Sequence, residues 1–193
     1  MSIDKAIKKQ RASYRRSMIA MSFILVFLPL VWYLSEQINI FFFVYLSLIE
    51  IFILTAMIFK TKIQVLTYEI DRYKIKISIG FPKKDIKLLC EKVDIIHAEG
   101  SEKDMRVVLI TKATTRSRFI RKVDANFLKR YPYAGYHYGR FKKNNPESNY
   151  FYTVISTGGY KKYKLLNELY KSCTSAFFTE EAILQIKEYR NRQ

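Results

Sequence analysis

No lysine, arginine or histidine occurs between Ser17 and Phe59, in a chain of 193 residues that carries 34 Lys+Arg. The gap is filled by two almost purely apolar runs, Ser17–Leu34 and Ile38–Phe59. Each is close to the ~20 residues a helix needs to cross ~30 Å of hydrocarbon. Only Ser35, Glu36 and Gln37 lie clearly between them, so the pair predicts a helical hairpin with no room for a domain on its far side.

Charge sets the expected orientation. Residues 1–16 carry Lys5, Lys8, Lys9, Arg11, Arg15 and Arg16 against Asp4 alone, and Lys60 and Lys62 close the second run. Under the positive-inside rule both ends stay in the cytoplasm, which makes the expected product a multi-pass protein of the cell membrane. The expected organisation is a basic N-terminal segment 1–16, a transmembrane hairpin 17–59 and a cytoplasmic domain 60–193. A secretory signal is the competing reading of the N-terminus. The first run is longer than a signal's apolar core, lacks a small-residue cleavage site and is followed at once by a second run.

Cysteine and histidine are scarce as well. Cys90 and Cys173 sit in apolar stretches, and His97 and His137 have no neighbour at metal-ligand spacing. Buried thiols in a reducing compartment are the expectation, with no metal and no cofactor.

Beyond Lys60 the pattern changes. Tyr73, Ile75, Ile77 and Ile79 alternate with Lys74, Lys76 and Ser78, the period of a strand with one wet face. Gly80 and Pro82 end it. Further strands are expected at Ile63–Ile70, Ile86–Leu89, Val93–His97, Met105–Thr111, Arg118–Val123 and Tyr150–Ser156. Tyr163, Leu166, Leu169, Tyr170 and Cys173 recur at helical spacing. Thr179 reads as the N-cap of a last helix, with Glu180 and Glu181 in its first turn. Residues 130–149 hold four tyrosines, two glycines and two prolines and predict a long loop. The expected fold class is a membrane α-helical hairpin plus an α+β domain, the latter a curled antiparallel sheet or barrel of six to seven strands with C-terminal helices.

Tyr68, Ile70, Ile75, Ile77, Gly80, Lys83, Lys84, Ile86, Val93 and Ile96 fall in an order of tyrosine-ended strand, turn, alternating strand, glycine, basic segment and isoleucine-rich strand. With two preceding apolar runs, this resembles the bacterial membrane-anchored pleckstrin-homology-like proteins. The resemblance covers Thr67 to Ala98 in detail. It implies a PH-like barrel closed by a helix, and a scaffold or binding module with no common enzymatic activity.

Residues 60–193 hold 28 Lys+Arg against 14 Asp+Glu, a surplus that calls for anionic partners. The nearest is the anionic phospholipid leaflet, where each basic residue contributes on the order of 1 kcal/mol. Candidate lipid- or partner-binding residues are Lys83, Lys84 and Lys87; Arg116, Arg118, Arg121 and Lys122; and Arg140, Lys142 and Lys143. A second basic run, Lys161, Lys162 and Lys164, has the same composition. Nucleic acid is the rival partner for basic residues among aromatics, but no binding signature for it occurs. Glu50 is the one ionisable residue deep in a span, a costly placement, and reflection about the turn sets it opposite Ser22 or Phe23, so Glu50 and Ser22 form a candidate intramembrane polar contact, within one chain or in a homo-oligomer. No phosphate loop, nucleophile elbow or metal motif is present, which points away from catalysis. The function expected is a non-enzymatic scaffold docking another membrane protein or a cytoplasmic protein at the inner leaflet. The alternative is an accessory subunit of a transporter or channel working through the hairpin and Glu50.

Overall fold

A computed structural model describes residues 2–34, 39–71, 73–80, 84–112 and 119–192. It opens with two long helices, α1 (Ile3–Leu34) and α2 (Ile40–Gln64), both apolar enough to cross a membrane, with their apolar windows wholly unburied. They pack side by side and antiparallel. Trp32 meets Phe43 at 5.9 Å, Tyr14 and Thr61 share a 2.9 Å hydrogen bond, and Lys60 Nζ donates to Ser17 Oγ. Asn39 caps α2 by accepting the Phe41 N–H.

The 32 residues of α1 reach ~48 Å, well past a hydrocarbon core, so residues 3–16 and the apolar run form one continuous rod. Its first turns dock on the region that follows α2. Ile3 and Ala6 are buried, the Ile3 N–H donates to Arg192 O, and Gln10 Oε1 accepts the Tyr160 N–H at 3.2 Å.

That region is α+β, with a three-stranded and a five-stranded sheet. The first is the antiparallel meander β1 (Leu66–Asp71), β2 (Lys74–Ile79), β3 (Lys84–Leu89). The second contains β4 (Val93–Glu99), β5 (Arg106–Thr111), β6 (Arg121–Lys122), β7 (Phe151–Ile155) and β8 (Phe177–Phe178), in the order β6-β7-β5-β4-β8. Four helices complete it: α3 (Ala125–Arg130), α4 (Pro132–Asn144), α5 (Lys161–Ser172) and α6 (Glu180–Asn191). Neither sheet closes into a barrel. The β4–β8 pair is parallel, so the expected single antiparallel sheet of six to seven strands is instead two sheets.

The alternating strand at residues 73–79 is β2, with Ile75 and Ile77 buried and Lys74 and Lys76 exposed. β4 and β5 are buried on both faces, which is why their sequences read as continuous apolar runs. One face, through Ile96, Ala98, Val107 and Leu109, joins α5, α6 and the inner side of the β1–β3 sheet in a single core. Cys90 and Cys173, 83 positions apart in the chain, meet there; burial raises both thiols. The opposite face, through Ile95, Val108 and Ile110, packs under α3 and α4.

The loop expected over residues 130–149 is therefore largely helix. Tyr131, Ala134, Tyr138 and Phe141 lie on one helical stripe facing the sheet. Pro132 stands at the start of α4, where its missing N–H costs nothing. Gly135 sits against Leu128 of α3: a Cβ there would lie 3.0 Å from Leu128 Cδ2. Of the strand expected over Ile63–Ile70, residues 63 and 64 are instead the last turn of α2, and the rest is found as β1 from Leu66. Thr179 caps α6 as read, accepting the Ala182 N–H, and also bonds His97 Nδ1 at 3.0 Å. Burial holds His97 below its usual range, so the 3.7 Å approach of Glu181 is not an ion pair.

Candidate functional site

A cleft of about 570 Å³ opens where the last turn of α2 meets the β6–β7 edge of the larger sheet. Its cations come from four separate elements: Lys62 from α2, Arg106 from the start of β5, Arg121 from β6 and Arg130 from the end of α3. Apolar side chains of Ile79, Ile86 and Val154, with Phe119, Tyr131 and Tyr152, make the rest of its wall, together with Ser156 and Thr157.

Local structure places each cation at the cleft. Asp124 Oδ1 accepts the Phe127 N–H at 2.8 Å and starts α3. Phe127 is then buried against the Tyr152 ring, 4.2 Å between centroids, which aims the end of α3 and Arg130 at the cleft. Arg130 lies over the Tyr131 ring at 5.8 Å, and Lys62 over Phe59 at 5.4 Å. Arg121 is held opposite Tyr152 by the β6–β7 ladder. Arg106 is paired in register with Glu99 but closes no ion pair with it. Gly80 (φ +72°) turns the end of β2 back to α2, its N–H donating to Val65 O at 2.9 Å, a left-handed conformation that suits glycine.

Among the described residues, none of the four cations has an ion-pair partner and no carboxylate lines the cleft. Thr157 Oγ1 is buried in its wall with no hydrogen-bond partner among the described residues. Behind Ser156 lies a fifth cation. Lys162 is fully buried, its ammonium donating to Ser156 O and Lys103 O, both at 2.9 Å. Burial lowers it to about 8, with Asp104 acting against the shift and Arg106 adding to it. At the end of α2, Thr61 O accepts the Val65 N–H and Ile63 O the Gly158 N–H. The arrangement can hold a small anion between fixed guanidinium and ammonium groups with apolar surface at its flank.

Of the residues expected from sequence to bind lipid or partner, Arg121 lines this cleft and its neighbour Lys122 is exposed on the same edge strand. Lys87 is exposed on β3, opposite Lys76. Arg140 and Lys143 are exposed on α4. Lys142 is used internally, donating to Pro146 O at 2.6 Å and Ser148 O at 2.8 Å. Lys83, Arg116 and Arg118 lie outside the described residues, as does the side chain of Lys84. Lys62, Arg106, Arg130, Tyr152 and Thr157 were not singled out by sequence. They are far apart in the chain and only the sheet order assembles them. In the helix pair, Glu50 is half-exposed and neither it nor Ser22 has a hydrogen-bond partner among the described residues. The register set by Trp32–Phe43 and Tyr14–Thr61 places Glu50 level with Leu25, about one turn from Ser22.

No family model matches the chain, and neither a curated protein nor a solved structure matches it.

Proposed function

We propose that the chain is a non-enzymatic, membrane-anchored binding protein. Its two apolar helices cross the cell membrane with both ends in the cytoplasm, and the α+β region, a pleckstrin-homology-like module, docks a protein partner at the anionic inner leaflet. The observation that carries this reading is the physical continuity of anchor and domain: the same helix that ends its apolar run at Phe59 places Lys62 in the basic cleft one turn later. The binding surface is thereby held at headgroup depth, where basic residues gain most from an anionic leaflet. The exposed Tyr133 and Tyr136 on α4 supply the amphipathic side chains that protein contacts favour.

A cysteine placed at position 37 in intact cells should react with an impermeant thiol reagent, and one at position 191 should not. Reversed labelling overturns the orientation and the inner-leaflet partner together. A photo-crosslinker at Tyr136 should trap one defined protein from native membranes, and trapping only lipid would remove the protein-docking role.

A second reading, an accessory subunit of a transporter or channel, rests on Glu50, whose carboxyl has no partner within the described chain. Glu50→Gln keeps shape and hydrogen bonding while removing the charge. Intact assembly with loss of a pH-dependent flux would favour that reading over the scaffold.

A further inference from the structure

We propose that the cleft between α2 and the β6–β7 edge is a binding site for a phosphate-bearing anion, with the headgroup of an anionic phospholipid as its source. From the proposed function this takes only that α2 leaves a bilayer near Phe59; the anion chemistry rests on the cleft itself.

Three independent features converge. The first is the uncompensated charge: Lys62, Arg106, Arg121 and Arg130 face one space with no acid among them. Some exposed cations of the same domain are paired locally, as Lys112 is with Asp94 at 2.8 Å and Arg192 with Glu188 at 2.9 Å, and others stand singly; in the cleft, four unpaired ones converge on one space. Three guanidinium groups on three different elements match the several acceptor oxygens of a phosphate, which guanidinium forks recognise in bidentate fashion. The second is the buried, unpartnered Thr157 hydroxyl in the wall. A buried hydroxyl without a partner is costly, and a phosphate oxygen in the cleft would accept its proton. The third is the apolar flank formed by Ile79, Phe119 and Val154. Free phosphate has no use for it, whereas the glycerol and first acyl carbons of a lipid do. Lys62 stands within about 5 Å, along the helix, of the last residue of the apolar run, so a headgroup reaches the cleft without leaving its leaflet.

The test uses the full chain in neutral detergent, with a soluble short-chain phosphatidic acid and inorganic phosphate as separate probes, read by thermal shift and by phosphorus NMR line broadening. The expected result is saturable binding of the short-chain lipid, weakened about tenfold or more in Arg121→Gln/Arg130→Gln. The control Lys74→Gln/Lys187→Gln, which removes the same charge from exposed positions on β2 and α6, should stay within about twofold of the parent. Thr157→Val, which conserves shape, should weaken binding severalfold without lowering the melting temperature of the unliganded protein. Tighter binding of the lipid than of phosphate assigns the leaflet as the source, and the reverse assigns a soluble phosphate compound to the same site. Equal losses in the cleft and control variants would show that net charge alone binds the probe, and an unaltered affinity in the cleft variants would place the probe elsewhere; either result overturns the proposal. Because both probes are soluble, failure here leaves the topology and partner tests untouched.

Discussion

The two faces of the five-stranded sheet are covered by different chemistry. On one, Ile96, Val107 and Leu109 meet Leu165, Leu166 and Leu169 of α5 and Ile75 and Ile77 of the smaller sheet, a mainly aliphatic layer with Tyr163 and Tyr189 buried in it. On the other, Ile95, Val108 and Ile110 lie under Phe127, Tyr131, Tyr138, Phe141 and Tyr150. An aliphatic layer must close on itself to stay dry. Tyrosines carry a polar end that water can satisfy, so the second layer can stop short of the sheet edge, and the basic cleft occupies that edge. The difference separates a face that mainly stabilises the fold, and lends the cleft Ile79 and Ile86, from a face whose aromatic side chains build much of its wall.

The sharpest way to break this comparison is to damage each face in turn. Leu109 is fully buried on the aliphatic side, so Leu109→Ala should cost about 3 kcal/mol, seen as a lowered melting temperature of the full chain in detergent. At temperatures where the variant is folded, its affinity for the anionic probe should match the parent. A loss of affinity in proportion to stability would erase the distinction between the faces.

Gly135→Val acts on the other side. With Leu128 Cδ2 only 3.0 Å from where a Cβ would stand, the larger side chain must push α4 off α3, costing about 1–2 kcal/mol. Because α3 carries Arg130, affinity should fall more than in Leu109→Ala although the melting temperature falls less. The inverse ranking would show that α3 is not held by α4.

The smallest effect concerns Lys162, behind the cleft wall. Its folded value of about 8 lies below the ~10.4 of an unfolded chain. Between these values the unfolded chain binds more protons, so stability rises with pH over that window; below pH ~8 the penalty of burying the charge is fully present. The parent should therefore gain stability from pH 8 to 10 relative to Lys162→Met, measured by paired melts. Parallel pH profiles for the two proteins would mean that the ammonium carries no such penalty.

Legibility in the sequence followed the range of the interactions. The alternation of Ile75 and Ile77 with Lys74 and Lys76, the helical spacing of Leu166 and Leu169 and the Thr179 cap are local signals, and all three reappear in the structure. α4 was hidden because Pro132, Gly135 and Gly139 read as breakers, although the stripe Tyr131, Ala134, Tyr138, Phe141 has helical spacing. The parallel β4–β8 pair joins residues some eighty positions apart and leaves no local trace in a two-residue strand. The cleft was illegible for the same reason. Lys62 read as a topological charge, Arg106 as one position in the strand expected over Met105–Thr111 and Arg130 as one basic residue in a loop. Only Arg121 belonged to a recognised basic group.

α1 has a mechanical consequence. Its rod is anchored at one end by Ile3 and Ala6 in the domain core and by the Gln10 bond to Tyr160, and at the other by its packing on α2. The domain is thus fastened to both members of the pair rather than hanging from one linker. In a bilayer, a thinner or thicker hydrocarbon layer that changes the tilt of the pair would swing the whole domain as a lever arm, changing the height and angle at which the cleft meets the headgroups. Membrane thickness would then adjust ligand access, with no hinge inside the domain.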